Sequence, residues 1–117
     1  MTEAATVTVT IPARSNFLGL ARVTATSLGA ELDLDVDELD DLRLALNELV
    51  AALIEVAEDG ATIAVEYRLA DDGLDVTGRL SNGDGATLDE LSQQILGVVT
   101  DAYHVDGSTF ALRKSRV

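Results

Sequence analysis

The chain has no cysteine. This excludes disulfide staples and thiolate metal sites, and it fits a reducing compartment. Histidine is nearly absent too. His104 stands alone, so a zinc site lacks a second imidazole. Asp101 and Asp106 lie near it in sequence, but nothing marks a nucleophile for it to serve, and it reads as a surface residue at a helix end. Aromatics make up only 3% of the chain, so a core must come from Leu, Val, Ile and Ala. No stretch approaches the ~20 apolar residues of a membrane helix. Residues 1–5 include Glu3 and no apolar run, so a signal peptide is not expected and the expected location is cytoplasmic. Cations are scarce: 8 Lys and Arg stand against 21 Asp and Glu, a net charge of -13. Such a chain repels phosphate backbones, which argues against direct nucleic-acid binding. It suits encounter with a basic protein surface, or simply solubility.

What is present suffices for a fold. At 117 residues the chain suits one domain spanning 1–117, and a hydrophobic share of 47% argues against disorder. Residues 6–11 alternate as a strand, ended by Pro12. A helical pattern over about 15–31 puts Phe17, Leu20, Ala21, Thr24 and Leu28 on one face, with Ser15 or Asn16 as cap. An acidic connector, 32–38, follows. Asp35 and Glu38 in it form a capping box. Leu39, Leu42, Leu46, Leu49 and Leu53 recur at helical spacing, widened by Ala45, Val50 and Ile54, to about Ala57. Residues 62–69 and 74–80 read as a hairpin turning at Asp72-Gly73. Residues 81–85 form a flexible break. Thr87 caps a helix to about Tyr103, facing inward through Leu88, Leu91, Ile95, Val98 and Val99. Gly107 marks a turn, 109–113 a last strand, and Arg113, Lys114 and Arg116 a basic tail that either pairs with the acidic connector or is solvated. The order β-α-α-β-β-α-β predicts an α/β two-layer sandwich (α+β), mostly antiparallel, with the helices on one face.

Asp33, Asp35 and Asp37 alternate as in a calcium loop. Glu38 stands where that loop needs glycine, however, and Leu44 where it needs glutamate. A helix-capping connector is the better reading. Glu48 and Glu55 share a helix face with Ala52. They read either as a residual base or as two exposed carboxylates, and the second is preferred.

The stretches VTVTIPARSNFLGLARVTATSLGA and LDDLRLALNELVAALIEVA, the hairpin after them and the closing ALRK strand resemble the anti-sigma-factor serine kinases of the RsbW and SpoIIAB type, in particular their actinobacterial branch. The likeness covers nearly the whole chain, and LARVTATSL and DLRLALNEL are its most specific segments. It implies the histidine-kinase-like ATPase, or Bergerat, fold. In that family the second helix carries a glutamate, the general base, and four residues later an asparagine that holds Mg²⁺; this spacing puts both on one face. Glu48 matches the glutamate. Ala52 stands where the asparagine belongs, and Asn47 points about 100° away from Glu48.

The family's D-x-G-x-G element falls by register at residues 78–82, which read GRLSN. Asn82-Gly83-Asp84-Gly85 lies beyond and lacks the spacing, and the run from Asp71 to Asp75 is a hairpin turn. The glycine-rich lid is replaced by LDELSQQIL, where Asp89 and Glu90 add negative charge at the phosphate position. With three nucleotide devices damaged, the resemblance implies a regulatory protein-binding domain. It would sequester a sigma factor or bind a STAS-type antagonist, without a cofactor and with Glu48 as a vestigial base. The alternative is an ATP-binding serine/threonine kinase acting on such an antagonist, which alone would need ATP and Mg²⁺. A third reading is a dimer partner for another member of the switch. In the family a first-helix arginine contacts the sigma factor, and Arg22 matches it; the plain reading is an ordinary exposed arginine. The family also implies a homodimer through the first strand and first helix.

Overall fold

A computed structural model describes residues 5–116. Val117 and Met1 to Ala4, on which much of the signal-peptide reading rests, lie outside them. The elements are β1 (Thr6–Pro12), a 3-10 turn (Ser15–Phe17), α1 (Leu18–Glu31), α2 (Val36–Glu55), β2 (Thr62–Ala70), β3 (Gly73–Leu80), α3 (Glu90–Val99), β4 (Ala102–Asp106) and β5 (Thr109–Ser115). One sheet runs in the order β1-β2-β3-β5-β4 with every pairing antiparallel. Strand alternation sends Ile63, Val65, Tyr67, Leu74, Val76, Phe110 and Leu112 to the helix side, where they are buried. The register sets Thr8, Glu66, Thr77, Ala111 and His104 in one row on the opposite face. The expected two-layer α/β sandwich, with helices on one sheet face, is what the chain forms.

The second helix behaves as its leucines predict. Glu38 N–H donates to Asp35 Oδ1 and Asp35 N–H to Glu38 Oε1, both at 2.8 Å, completing the capping box. Leu42, Leu46, Leu49 and Leu53 are buried along one stripe.

The first helix departs from expectation. Its buried residues are Ala21, Ala25 and Gly29, whereas Leu20 is 54% exposed and Thr24 only half-buried. Small side chains at i, i+4 and i+8 let the helix backbone approach its neighbours more closely than a leucine ridge allows. A Cβ on Gly29 would come within 2.8 Å of Leu39 Cδ2. Ser15 and Asn16 fall in the 3-10 turn, and the start of α1 has no side-chain cap.

The third helix is shorter than predicted. Asp89, not Thr87, caps it, and it stops at Val99. Tyr103 and His104 belong instead to β4, a strand the sequence reading missed; His104 is exposed on the open sheet face rather than at a helix end. Leu91 and Val98 point outward, at 66% and 82% exposure, and Leu96 and Val99 are the buried pair. The hairpin turn also shifts by one residue. Ala70 pairs with Gly73, leaving Asp71 and Asp72 as the turn. Gly73 is required by packing, since a Cβ there would sit 2.5 Å from the Lys114 carbonyl oxygen. The break at 81–85 is tied down: Gly83 bridges Ala57, and Glu58 N–H donates to Asn82 O at 3.0 Å.

The basic tail is engaged rather than solvated. Arg113 binds Asp72 and, at 2.9 Å, Asp75. Lys114, 8% exposed, reaches Asp41 of α2 at 3.1 Å. Only Arg116 meets the connector, donating to Leu32 O at 3.3 Å. The Arg113 guanidinium holds the Asp72 carboxyl below the usual carboxylate range. Among the described residues no helix is long and apolar enough to cross a membrane.

Tyr67 joins the two layers. Its ring is buried and its hydroxyl donates to Ala21 O of α1 at 2.9 Å. Burial raises the phenol pKa above its ordinary value of 10.0. The neutral form is therefore the one the fold favours, and its contribution is complete below about pH 10 and lost as pH rises beyond it. Tyr67→Phe should cost about 1 kcal/mol at pH 7 in urea unfolding. The gap to the parent should close by about pH 11, where the unfolded tyrosine ionises and the phenylalanine does not.

Candidate functional site

Two surfaces of the helix layer bear on function. The first is the cleft where α3 meets α2. Glu48, Ala51, Ala52 and Glu55 recur on one α2 face, and Thr87, Leu88, Asp89 and Ser92 close the other side, around a volume of about 320 Å³. Ser92 ties the walls together. Its hydroxyl donates to Glu48 Oε1 at 3.3 Å, and its backbone N–H donates to Asp89 Oδ1 at 2.7 Å. The amide bond from Ser92 holds the Asp89 carboxyl below the usual range, so it is ionised at neutral pH.

These residues do not fit a magnesium nucleotide. Three carboxylates face the cleft and no Lys or Arg lines it. The α3 N-terminus, where a phosphate would accept backbone hydrogen bonds, is already capped by the chain's own Asp89. Ala52, 7% exposed, offers no oxygen to a metal. Asn47 turns to the other side of α2, where it accepts from Arg22 Nη1 at 3.3 Å. At the expected adenine-binding register, Gly78 lies under the Phe110 ring, and a Cβ there would come within 2.1 Å of Phe110 Cε2.

The second surface is the groove between α1 and α2. Gly19, Arg22, Val23, Thr26 and Arg43 line a volume of about 440 Å³. Leu20, Val23 and Leu44 are exposed large apolar side chains on the same two helices. Arg43 also pairs with Asp40 at 2.6 Å, but both side chains are more than half exposed and such a pair is weak. The groove thus holds two of the chain's 8 cationic residues. A guanidinium pair beside apolar side chains can take a carboxylate bidentately while burying a neighbouring aliphatic group. Arg22 was singled out from the sequence; Arg43 was not, and Asn47 was weighed only as a stand-in for the family's asparagine, not as a neighbour of Arg22. The signal that would have found them is the short connector. It folds α1 and α2 into an antiparallel pair, so residues equally far from it on either side become neighbours.

No family model matches the chain. Among curated proteins it is similar to the serine-protein kinase RsbW of several bacteria. The RsbW of Halalkalibacterium halodurans is 28% identical over 72 residues, covering 61% of this chain and 44% of that protein. The RsbW of Listeria monocytogenes serotype 4a is 28% identical over 93 residues, or 76% of this chain and 58% of that protein. The RsbW of Bacillus subtilis strain 168 is 25% identical over 99 residues, or 82% and 61%. The chain therefore spans about half the length of the relatives it matches. At this identity the likeness supports an RsbW-like relationship, and it suits a kinase-like ATPase fold.

An amide at residue 52 alone should not create a nucleotide site, because the carboxylates and the self-capped helix remain. Ala52→Asn should give no Mg-ATP heat in isothermal titration at millimolar nucleotide. It should cost less than about 1 kcal/mol in stability, the helix-propensity difference, because the cleft has room and polar neighbours for the amide.

Proposed function

We propose that this chain is a regulatory protein-binding domain of the anti-sigma type, a degenerate relative of the RsbW kinases that acts by sequestration rather than phosphoryl transfer. The observation that carries the reading is a contrast between two sides of α2. The cleft beside Ala52 is lined with carboxylates and self-capped, whereas the groove at Arg22 and Arg43 presents guanidinium groups beside exposed apolar side chains. The partner is a sigma factor or a STAS-type antagonist, met on α1 through Arg22, and no cofactor takes part. Glu48, tied to Ser92, is a vestigial base. The chain forms a homodimer through β1 and α1, an arrangement left open by the outer edge of β1, which has no neighbouring strand among the described residues.

The name shared by the relatives keeps one alternative in view, an ATP-binding serine kinase that retains Glu48 as its base. Titration with Mg-ATP and Mg-ADP separates the two readings. Silence supports the binder, and micromolar binding reverses the order. Against sigma factors and antagonists encoded in the same genome, Arg22→Ala should weaken the tightest pair by about 2 kcal/mol, roughly 30-fold, with unchanged thermal stability. Equal affinity of the parent and the variant would remove Arg22 from the interface.

A further inference from the structure

The loop 81–85 leaves β3 and leads toward Thr87 in the wall of the Glu48 cleft. Its packing forces a reactive pair of residues. Glu58 N–H donates to the Asn82 main-chain oxygen at 3.0 Å, and Gly83 bridges Ala57. This closeness leaves no room for a side chain at residue 83. A Cβ there would collide with the Val56 carbonyl oxygen and come within 2.6 Å of Leu80 Cδ2. The φ of 141° also lies in the range that favours glycine. Glycine is therefore required, and having no side chain it leaves its own amide nitrogen unshielded. Asn82 is exposed. Neither its side-chain amide nor the Gly83 N–H has a hydrogen-bond partner among the described residues.

Asn16 and Asn47 lack this freedom. Asn16 precedes Phe17, whose N–H donates to Arg14 O at 3.0 Å. Asn47 lies inside α2, and its Oδ1 accepts from Arg22 Nη1 at 3.3 Å. The geometry points to Asn82 as a site of spontaneous deamidation. The Gly83 nitrogen gives up its proton and attacks Asn82 Cγ, closing a cyclic imide. The side-chain nitrogen leaves as ammonia, carrying a proton in exchange. Water then opens the ring at either carbonyl, giving aspartate or isoaspartate. Attack within one residue pair supplies the proximity that a bimolecular reaction lacks, and water is the one co-reactant. Either product adds a negative charge two residues from Asp84. Isoaspartate does more. It routes the main chain through Cβ and turns the oxygen that accepts from Glu58 into part of a free carboxylate. The lengthened backbone has no slack against Val56, so the bridge to Ala57 is lost and the loop parts from the end of α2.

The folded chain is incubated at neutral and at alkaline pH, and its peptides are followed by mass spectrometry. Converting an amide to a carboxylate raises the mass, whereas isomerisation at an Asp-Gly pair such as Asp59-Gly60 does not. The gain should be confined to the peptide bearing Asn82. It should be faster at alkaline pH, where the attacking amide loses its proton more readily. Asn82→Gln keeps the main-chain tie but needs a larger ring, so the gain should be lost with an unchanged thermal midpoint. The isoaspartate form, isolated by chromatography, should melt below the parent and shift the amide resonances of residues 56–58. Four results would each overturn the proposal. These are an Asn82 that stays intact in the folded chain while urea-unfolded chain is modified, equal gains at Asn16 or Asn47, a gain that persists in Asn82→Gln, or an isoaspartate form as stable as the parent.

Discussion

Ala21, Ala25 and Gly29 lie one turn apart along α1, and with so little side chain on that stripe the helix backbone settles directly against α2 and the sheet. Apolar transfer at these positions is small, because alanine and glycine have little surface to bury. What the close approach gives is dispersion contact along the backbone and a carbonyl, that of Ala21, within reach of the Tyr67 hydroxyl. The large transfer term comes from the leucines of α2, which are buried against the same sheet. The outer face of α1 follows from this inner one. Once Ala21 and Ala25 point inward, Leu20 and Val23 must point out, and Arg22 lies along the seam where it meets Asn47. The groove at Arg22 is a geometric consequence of a helix packed through its smallest residues.

The cleft on the opposite flank of α2 obeys a different constraint. A helix N-terminus presents unpaired N–H groups and a positive dipole end, and any anion placed there is stabilised. In α3 that anion is the chain's own Asp89. A phosphate arriving at this point would compete with an intramolecular carboxylate that loses no translational freedom, and it would do so against the charges of Glu48 and Glu55. Ala52, which lines the cleft beside these carboxylates, offers no oxygen ligand to a cation. The poor fit to a nucleotide phosphate is thus a property of the electrostatics of the whole cleft rather than of residue 52 alone.

Much of this was legible in the chain itself. The leucine spacing of α2, its Asp35–Glu38 capping box, the hairpin and the layer architecture all follow from periodicity and local hydrogen bonding, and the replacements at residue 52 and across 78–82 could be read directly. The missed features share a cause: tertiary pairing overrides a local pattern. Leu96-Gly97-Val98-Val99 runs on from a good helical stripe, so nothing in the window marks Val99 as the end. The clue was the β-branched and aromatic run from Val98 through Val105, which suits a strand once β5 is there to pair with it. Likewise the inner face of α1 was assigned to the bulkier Leu20, when the neighbours leave room only for a small stripe. Arg43 was invisible because its meaning depends on a residue across the connector.

The distribution of charge sets what kind of ligand each part of this acidic surface favours. With a net charge of -13, long-range steering favours basic proteins from every direction, and an acidic ligand must be recognised at short range, where guanidinium groups outweigh the distant field. The Arg22–Arg43 groove meets that requirement because its cations lie beside exposed apolar side chains, whose burial lowers the local dielectric around any carboxylate that docks. The groove and the Glu48 cleft are kept apart by α2, whose leucines are buried in the core.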